Sequence, residues 1–295
     1  MITKLTASYP AKWVCDLLGC SRSAYYYEPV IDPEDALLIE AIEPILMRWP
    51  FYGYRRATAQ LKRAGHIVGE TRVRRLLKLL EHSCSVGRVR VVTTDSKHDL
   101  PRYANLVNPG TGVKKLIITR PNQVWVADIT YIRLGRRFIS LAVILDAFTR
   151  SVRGWCLGRS LEKELTVNAL KMALARHPAP GYHHSDQGSQ YAAIAYTDLL
   201  AEAKTAISMS AVGQPTQNGL AERFMRTLSE WMQAKEEHID YSEYSDFDDA
   251  FAPLAHWLEV EYMTERIHSA LGYLTPAEFE AQAGFTQPNP LLLQA

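Results

Sequence analysis

The sequence predicts an α/β protein: a mixed sheet flanked by helices, preceded by a small all-α region with a helix-turn-helix pattern. Three observations lead there. Three consecutive strand patterns between residues 123 and 158 are followed by alternating helix and strand patterns up to residue 233. Residues 48–90 hold 11 Lys and Arg against two acids, Glu70 and Glu81, in two helical patterns separated by a glycine-containing turn. The net charge of +1 divides into +8 over residues 1–122 (19 Lys+Arg, 11 Asp+Glu) and −7 over residues 123–295 (14 and 21). That asymmetry points to a polyanion-binding front and an acidic rear, against the alternative of an unevenly solvated surface.

Composition excludes several classes. With 295 residues, 47% hydrophobic and 22% charged, the chain is an ordinary globular protein with room for two domains and a small third. Disordered, collagen-like and disulfide-rich classes do not fit. No apolar run reaches the roughly 18 residues of a membrane span; the greasiest stretch, Phe138–Ala147, is interrupted by Asp146. Cys15, Cys20, Cys84 and Cys156 show no framework spacing, which fits a reducing compartment. The N-terminus lacks the apolar segment of a signal peptide, so a cytoplasmic protein is expected. Cys15-x4-Cys20 and His82-x-Cys84 lack compatible partners for zinc, and no glycine-rich nucleotide loop is present.

The elements follow in order. Residues 1–46 form an N-terminal helical segment, with helices over Ala11–Leu18 and Pro33–Ile45; Tyr25, Tyr26 and Tyr27 between them read as a small aromatic core rather than a base-stacking platform. Residues 47–90 form the basic helix-turn-helix-like domain, with helices over Tyr54–Ala64 and Glu70–His82. In the second, Val73, Leu76, Leu77 and Leu80 make one buried stripe and leave Arg72, Arg74, Arg75 and Lys78 outside it. With Arg55 and Arg56 of the first helix, these are the candidate DNA contacts, the alternative being a soluble helical hairpin. Residues 91–118 read as a linker with room for a β-hairpin around Asn108–Gly112. The core occupies 119–283 and a tail 284–295. Within the core, strands are expected over Gln123–Arg133, Phe138–Asp146 and Ser151–Gly158, with a turn at Gly135–Arg137. A helix over Leu161–His177 turns Leu165, Ala169, Met172 and Ala173 inward. Strand Gly181–Ser185, helix Tyr191–Ala203, strand Thr205–Ser210, and helices Gly219–Gln233 and Leu254–Arg266 complete the order.

That order brings three acids toward one another. Asp128 lies mid-strand, on the face shared by Val126 and Thr130. Asp186 sits just past a short strand, where sites on such sheets form. Glu222 lies near the start of a helix for which Asn218 is a candidate N-cap. There Leu220, Phe224, Leu228 and Trp231 face the core, while Glu222 and Arg226 share another face. Three converging carboxylates repel one another unless divalent cations neutralise them. Hard oxygen ligands suit Mg²⁺. Two such ions roughly 3.5–4 Å apart would hold the attacking and leaving oxygens of a phosphoryl transfer. Taken singly, Asp128 has the alternative of pairing with Arg133, Asp186 of being a turn aspartate, and Glu222 of pairing with Arg226. Arg223 and Arg226 flank Glu222 as candidate phosphate contacts. Asp146 reads as structural, pairing with Arg150 or Arg153. His183 and His184 are either packed or aimed at Asp186 or a phosphate, and His268 reads as helix packing.

Asp128, Asp186 and Glu222, with 35 residues between the last two, resemble the D,D-35-E signature of retroviral-integrase-like transposases. The stretches FYGYRRATAQLKRAGHIVGETRVRRLL (Phe51–Leu77), NQVWVADITYI (Asn122–Ile132), HSDQGSQYA (His184–Ala192), QPTQNGLAERFMRTL (Gln214–Leu228) and ERIHSALGYLTPAEF (Glu265–Phe279) resemble the second-frame (orfB) product of two-frame bacterial insertion sequences. The resemblance covers about residues 51–280. It implies an RNase H-like core in which Asp128, Asp186 and Glu222 are both catalytic residues and ligands of two Mg²⁺ ions, with Mn²⁺ able to substitute. It implies 3′-end cleavage of element DNA by water, then direct attack of the freed 3′-OH on a second phosphodiester, without a covalent enzyme–DNA intermediate. The implied partners are double-stranded DNA (terminal inverted repeats and target), further copies of the chain, and the first-frame (orfA) product. In this family the first frame supplies the main end-recognition helix-turn-helix and a leucine zipper. No heptad run occurs here, so in a chain acting alone end recognition falls to residues 1–90. Gln217 stands where many relatives carry an acid and is not expected to be a ligand. Two alternatives are an RNase H-like nuclease without strand transfer and a non-catalytic DNA-binding regulator of transposition.

Overall fold

The computed structural model describes residues 9–26, 32–82, 100–108, 115–134, 137–159, 161, 163–211, 214–238 and 247–284. Tyr27, Cys84, Arg88, Arg90, the Gly135-Arg136 turn, residues 109–114 of the expected hairpin and residues 285–295 of the tail lie outside the described residues. Among the described residues, no helix is long and apolar enough to cross a membrane.

The N-terminal region begins with α1 (Ala11–Leu18), which ends at Gly19 in the left-handed conformation (φ 65°), and a short α2 (Arg22–Tyr25). Tyr25 and Tyr26 meet edge to face at 4.8 Å, but Tyr26 is exposed, so the pair is a surface contact and not the aromatic core expected. Helix α3 (Pro33–Arg48) starts with Pro33 in its first turn, and the Asp32 carboxylate accepts the Glu34 N–H at 2.9 Å. Helices α4 (Tyr54–Arg63) and α5 (Glu70–Leu79) follow. The expected stripe is buried through Val73, Leu76 and Leu77, with Leu80 packed against it, and its partners are Ala57 and Leu61 of α4 and Leu38 and Ile42 of α3. The helical hairpin is therefore a three-helix unit, and α3 runs through residue 46 to supply its third wall.

The core sheet has the order β3-β2-β1-β4-β5. Strands β1 (Val124–Leu134), β2 (Arg137–Asp146) and β3 (Val152–Gly158) form an antiparallel meander. Helix α6 (Lys163–Arg176) leads to β4 (Tyr182–Ser185), which pairs parallel to β1. Helix α7 (Ile194–Glu202) leads to β5 (Ala206–Met209), parallel to β4. This is the RNase H-like arrangement expected. Alternation along β1 feeds two cores. Val124 and Val126 join Phe224, Leu228 and Trp231 of α8 (Gly219–His238) and Leu254 of α9 (Phe247–His256). Trp125 and Ala127 join Leu165, Ala169 and Ala173 of α6 and Tyr196 and Leu200 of α7. Helices cover both faces, which is why β2 is continuously apolar.

The single helix expected over Leu254–Arg266 is instead α9 followed by a π-helical segment, Trp257–Glu265. Its buried residues include Trp257, Leu258, Tyr262 and Met263. Pairs five apart share a face when bonds run from i to i+5, and a regular α-helix would turn one member outward. The sequence reading also omits α10 (Pro276–Gln282), although Thr275 and Glu278 form a reciprocal capping box at its start. Buried Glu280 of α10 lies 2.8 Å from Arg153 and accepts the Ser151 hydroxyl at 2.7 Å. Arg153 is also 3.3 Å from Asp146, which accepts the Asn122, Phe148 and Thr149 N–H groups. Asp146 is structural, as expected, with Arg153 as its partner. The described parts of the 91–118 stretch lie against the core: Val107 is buried and Leu106 N–H donates to Ser208 Oγ at 2.8 Å.

Strand β3 and α6 approach most closely at Gly154, where a Cβ would collide with the Ala169 carbonyl and Ala173. Both obstacles belong to helix backbone or its first side-chain atom, so they yield only by shifting the helix. Gly154→Ala is expected to cost about 1–3 kcal/mol by overpacking. A denaturant or thermal melt checks this, and an unchanged midpoint would contradict the close approach.

Candidate active site

The parallel register pairs Val126 of β1 with His184 of β4. Asp128 and Asp186 each follow two residues later, so they stand at corresponding levels of neighbouring strands and on one side of the sheet. The third acid comes from the other end of the core. A 3₁₀ turn, Pro215–Asn218, is held against the sheet and opens directly into α8, which places Glu222 in that helix's first turn. Asn218 is buried and donates its Nδ2 to the Ala127 carbonyl at 3.1 Å. It thus ties the helix start to the strand beside Asp128 and is not the N-cap expected. His184 lies 3.1 Å from the Gln217 carbonyl through Nε2 and 2.9 Å from Ser208 Oγ through Nδ1. The Gln217 side-chain carbonyl accepts the Ala211 N–H and the Asn105 amide, so this residue is committed to holding the turn.

The electrostatics register the convergence. The Asp128 carboxyl is pushed up to about 7, first by burial and then by the Asp186 charge, with Glu222 adding; the Ile129 N–H, 2.9 Å away, opposes. Burial also raises Glu222. Arg226 does not neutralise Glu222: both Arg226 and Arg223 turn down the helix to buried Glu230, at 3.2 and 3.3 Å. Asp128 and Glu222 have no ion-pair partner among the described residues, so the Arg133 and Arg226 alternatives do not hold. Asp186 does act as a turn aspartate, accepting the Gly188 N–H at 3.0 Å. Among the described residues, no three His, Cys, Asp or Glu side chains are gathered tightly enough to hold an ion as they stand. Glu222 is exposed at the start of its helix, whereas Asp128 is largely buried. The donor set itself, three carboxylates of which two lack a cation, fits a hard divalent ion.

The histidines divide by face. His183 packs with Tyr196, whose hydroxyl is 2.9 Å from Nε2, and burial followed by the charge of His184 lowers it to about 3. Burial lowers His184 to about 4, with the Gln217 carbonyl opposing. Both are neutral spacers near pH 7, and His184 positions the turn before Glu222. His268 lies on a β-bridge with Leu274, not in a helix, and packs edge-on against Tyr262 at 5.1 Å. The positioning roles of Asn218 and His184 were missed in the sequence, where each looks like an ordinary turn or strand-end residue.

The candidate DNA contacts are unequal. Arg72 donates to Asp35 at 2.7 Å and to Glu34 at 3.1 Å, and Arg75 also meets Asp35, so both hold α3. Arg55 and Arg74 both lie over the Tyr54 ring, at 5.1 and 5.6 Å from its centroid. Arg56 lies over Tyr52 at 4.5 Å and donates to the Phe51 carbonyl. Lys78 is exposed, with no partner among the described residues.

Asp128 gives a pH signature. Its folded-state value, about 7, lies above the ordinary 3.8, so the folded state binds the proton more tightly. The resulting stability is complete below about pH 4 and is lost as pH rises through 7. In the presence of EDTA, Asp128→Asn is expected to be more stable than the parent at pH 8, on the order of a few kcal/mol. The difference should vanish toward pH 4. Thermal melts across that range test it, and parallel pH profiles would show that Asp128 is not perturbed.

Comparison with known proteins gives three family-model matches: an HTH-like domain over residues 32–90 and integrase core domains over 118–215 and 203–276. The insertion element IS600 31 kDa protein of Shigella sonnei is 36% identical over 274 residues, covering 90% of this chain and 97% of that protein. The transposase for IS904 of Lactococcus lactis is 32% identical, covering 78% of this chain and 87% of its own length. The transposase for IS629 of Shigella sonnei is 32% identical, covering 95% and 94%. With an HTH-like domain leading into an integrase core, and relatives this similar over most of their length, the chain belongs to the orfB-type transposases of two-frame bacterial insertion sequences.

Proposed function

We propose that the protein cuts DNA at the ends of an insertion sequence and joins the freed 3′ ends to a second strand, with Asp128, Asp186 and Glu222 as the metal-binding carboxylates. The observation that supports this best is the Asp128 carboxyl, raised to about 7 by burial and by the charges of Asp186 and Glu222. These three would hold two Mg²⁺ ions, or Mn²⁺, which when bound supply a nucleophilic oxygen at neutral pH and stabilise charge on the phosphate. The chain's own residues set the stage. Asp128 is favoured in its ionised form when the three carboxylates hold a cation, its proton passing to solvent. Neutral His184 and Asn218 hold the turn from which Glu222 swings inward. Arg223 and Arg226, half exposed on the same helix, exchange Glu230 for a DNA phosphate. Residues 1–90 grip duplex DNA and residues 119–283 do the chemistry, with the described parts of the stretch between them packed along the core. Lys78, Arg74, Arg55 and Arg56 offer cations to the backbone, whereas Arg72 and Arg75 contribute while bracing α3. Two element ends call for at least two copies, acting in the cytoplasm, with the first-frame product as a further partner.

Asp128→Asn, Asp186→Asn and Glu222→Gln should each lower Mg²⁺-dependent cleavage and joining of labelled end DNA on the order of a thousandfold. Binding to the same DNA should change by less than about twofold, because the basic unit is untouched. Cleaved but unjoined products from the parent would instead favour a nuclease. Undiminished transposition control in cells by all three variants would favour a non-catalytic regulator.

Lys78→Ala and Arg74→Ala should each reduce the slope of log affinity against log salt by about 1, the signature of a lost phosphate contact. Arg72→Ala should lower the melting temperature as well, because it strips a partner from buried Asp35. Salt titrations and melts of the three variants separate these roles. Equal slopes in all of them would remove α5 from the interface.

A further inference from the structure

A cavity of about 780 Å³ opens beside the triad, lined by neither Asp nor Glu among the described residues. Its cationic walls come from separate parts of the chain: Arg56 of α4, Lys115, Arg150 after β2, Arg223 of α8, and Arg266 beyond the π-helical segment. Arg266 is 6% exposed; among the described residues its guanidinium lies 3.1 Å from His268 and 3.3 Å from Thr227 Oγ1, and over the Tyr262 ring at 5.9 Å, with no carboxylate. Arg150 sits at φ +66°, a conformation rare outside glycine, and its buried Nε has no hydrogen-bond partner. The one acid acting on Arg150, Asp146, is itself bound to Arg153. Burial pushes His268 to about 2, and Arg266, Arg150, Arg56 and Arg223 all add to that push. Arg150 and Arg266 are thus held at the cavity wall without a carboxylate of their own among the described residues, and buried guanidinium groups so placed call for an anion from outside the chain. Arginine forks match the oxygens of phosphate.

We propose that this cavity is a phosphate-binding site, distinct from the carboxylate triad, that holds the backbone of a DNA strand. The position favours a strand over a free ion. Arg223 lines the cavity next to Glu222 in sequence, and Val126 and His184 line it two residues before Asp128 and Asp186. A strand seated there continues onto the triad. Phe148 and Phe279, 5.4 Å apart, line the same space and offer apolar surface to a sugar or base. Assignment of a phosphate site rests on the cavity alone, and only the choice of DNA as its source rests on the function proposed above.

The test uses the full chain with two probes, a deoxythymidine dodecamer and sodium pyrophosphate, measured by titration calorimetry at fixed ionic strength. Arg150→Gln and Arg266→Gln should each weaken dodecamer binding about tenfold, Arg150→Lys should restore part of it, and pyrophosphate should compete with the dodecamer on the parent protein. Melts of the free variants report folding. Should Arg266→Gln unfold, Arg150→Gln carries the test, because its guanidinium makes no hydrogen bond or ion pair among the described residues. Loss of pyrophosphate binding with unchanged dodecamer binding would overturn DNA as the occupant. Unchanged affinity for both probes in folded Arg150→Gln would overturn the site. Pyrophosphate binding measured in EDTA reports the cavity without the triad, whereas loss of cleavage in Asp128→Asn reports the triad, so failure of one and failure of the other are read separately.

Discussion

Parallel pairing of β1 with β4 is the constraint on which the rest of the molecule turns. With Val126 opposite His184, Asp128 on β1 and Asp186 just past the end of β4 come near enough for the charge of one to act on the other. Asp146, at the end of β2, is instead absorbed by three backbone N–H groups and Arg153. Two carboxylates on one sheet face repel each other, and partial burial raises that repulsion. The fold meets it by letting Asp128 hold its proton up to about neutrality. The third acid then arrives from a helix whose first turn is fastened to the sheet by Asn218 and His184. The fastening is neutral and buried, so it does not respond to pH near 7, while Asp128 does.

The cations follow a different logic. Much of the basic front is occupied in assembling the molecule. Arg72 and Arg75 hold Asp35 inside the helical unit, and Arg48 and Arg63 reach Glu265 and Glu278 of the core. Trp49 and Tyr52 stack at 5.5 Å, and the Tyr52 hydroxyl accepts the Ile267 N–H at 3.1 Å. The helical unit is thereby docked onto the segment that follows the π-helical turn. That docking brings Arg56 to the wall of the same cavity as Arg150, Arg223 and Arg266. Net charge alone therefore overstates the surface open to DNA, since ion pairs within the fold consume part of it. It also conceals a positive interior lined from both halves of the chain.

Much of this was legible in the sequence. The alternation of β1, the continuous apolar run of β2 and the period-3.6 stripes of α5 and α6 are local patterns, and each element lies where its pattern does. The spacing of Asp128, Asp186 and Glu222, with the words around them, carried the family and the candidate triad. The exceptions have physical causes. The π-helical segment keeps apolar residues at a spacing that reads as an ordinary helix, and α10 is too short for periodicity to show, though its capping box was there to be read.

Local pattern and motif thus determined the elements, their order and the candidate carboxylates, because backbone propensity and hydrophobic period act over a few residues. Only the tertiary structure decided which charges meet. Arg72 finds Asp35 across 37 positions and Arg63 finds Glu278 across 215. Arg226 chooses Glu230 over Glu222, four residues away on either side, because Glu230 is buried and in need of a cation. Partner choice among charged side chains is set by burial and by packing between distant segments, and neither is written in the spacing of residues along the chain.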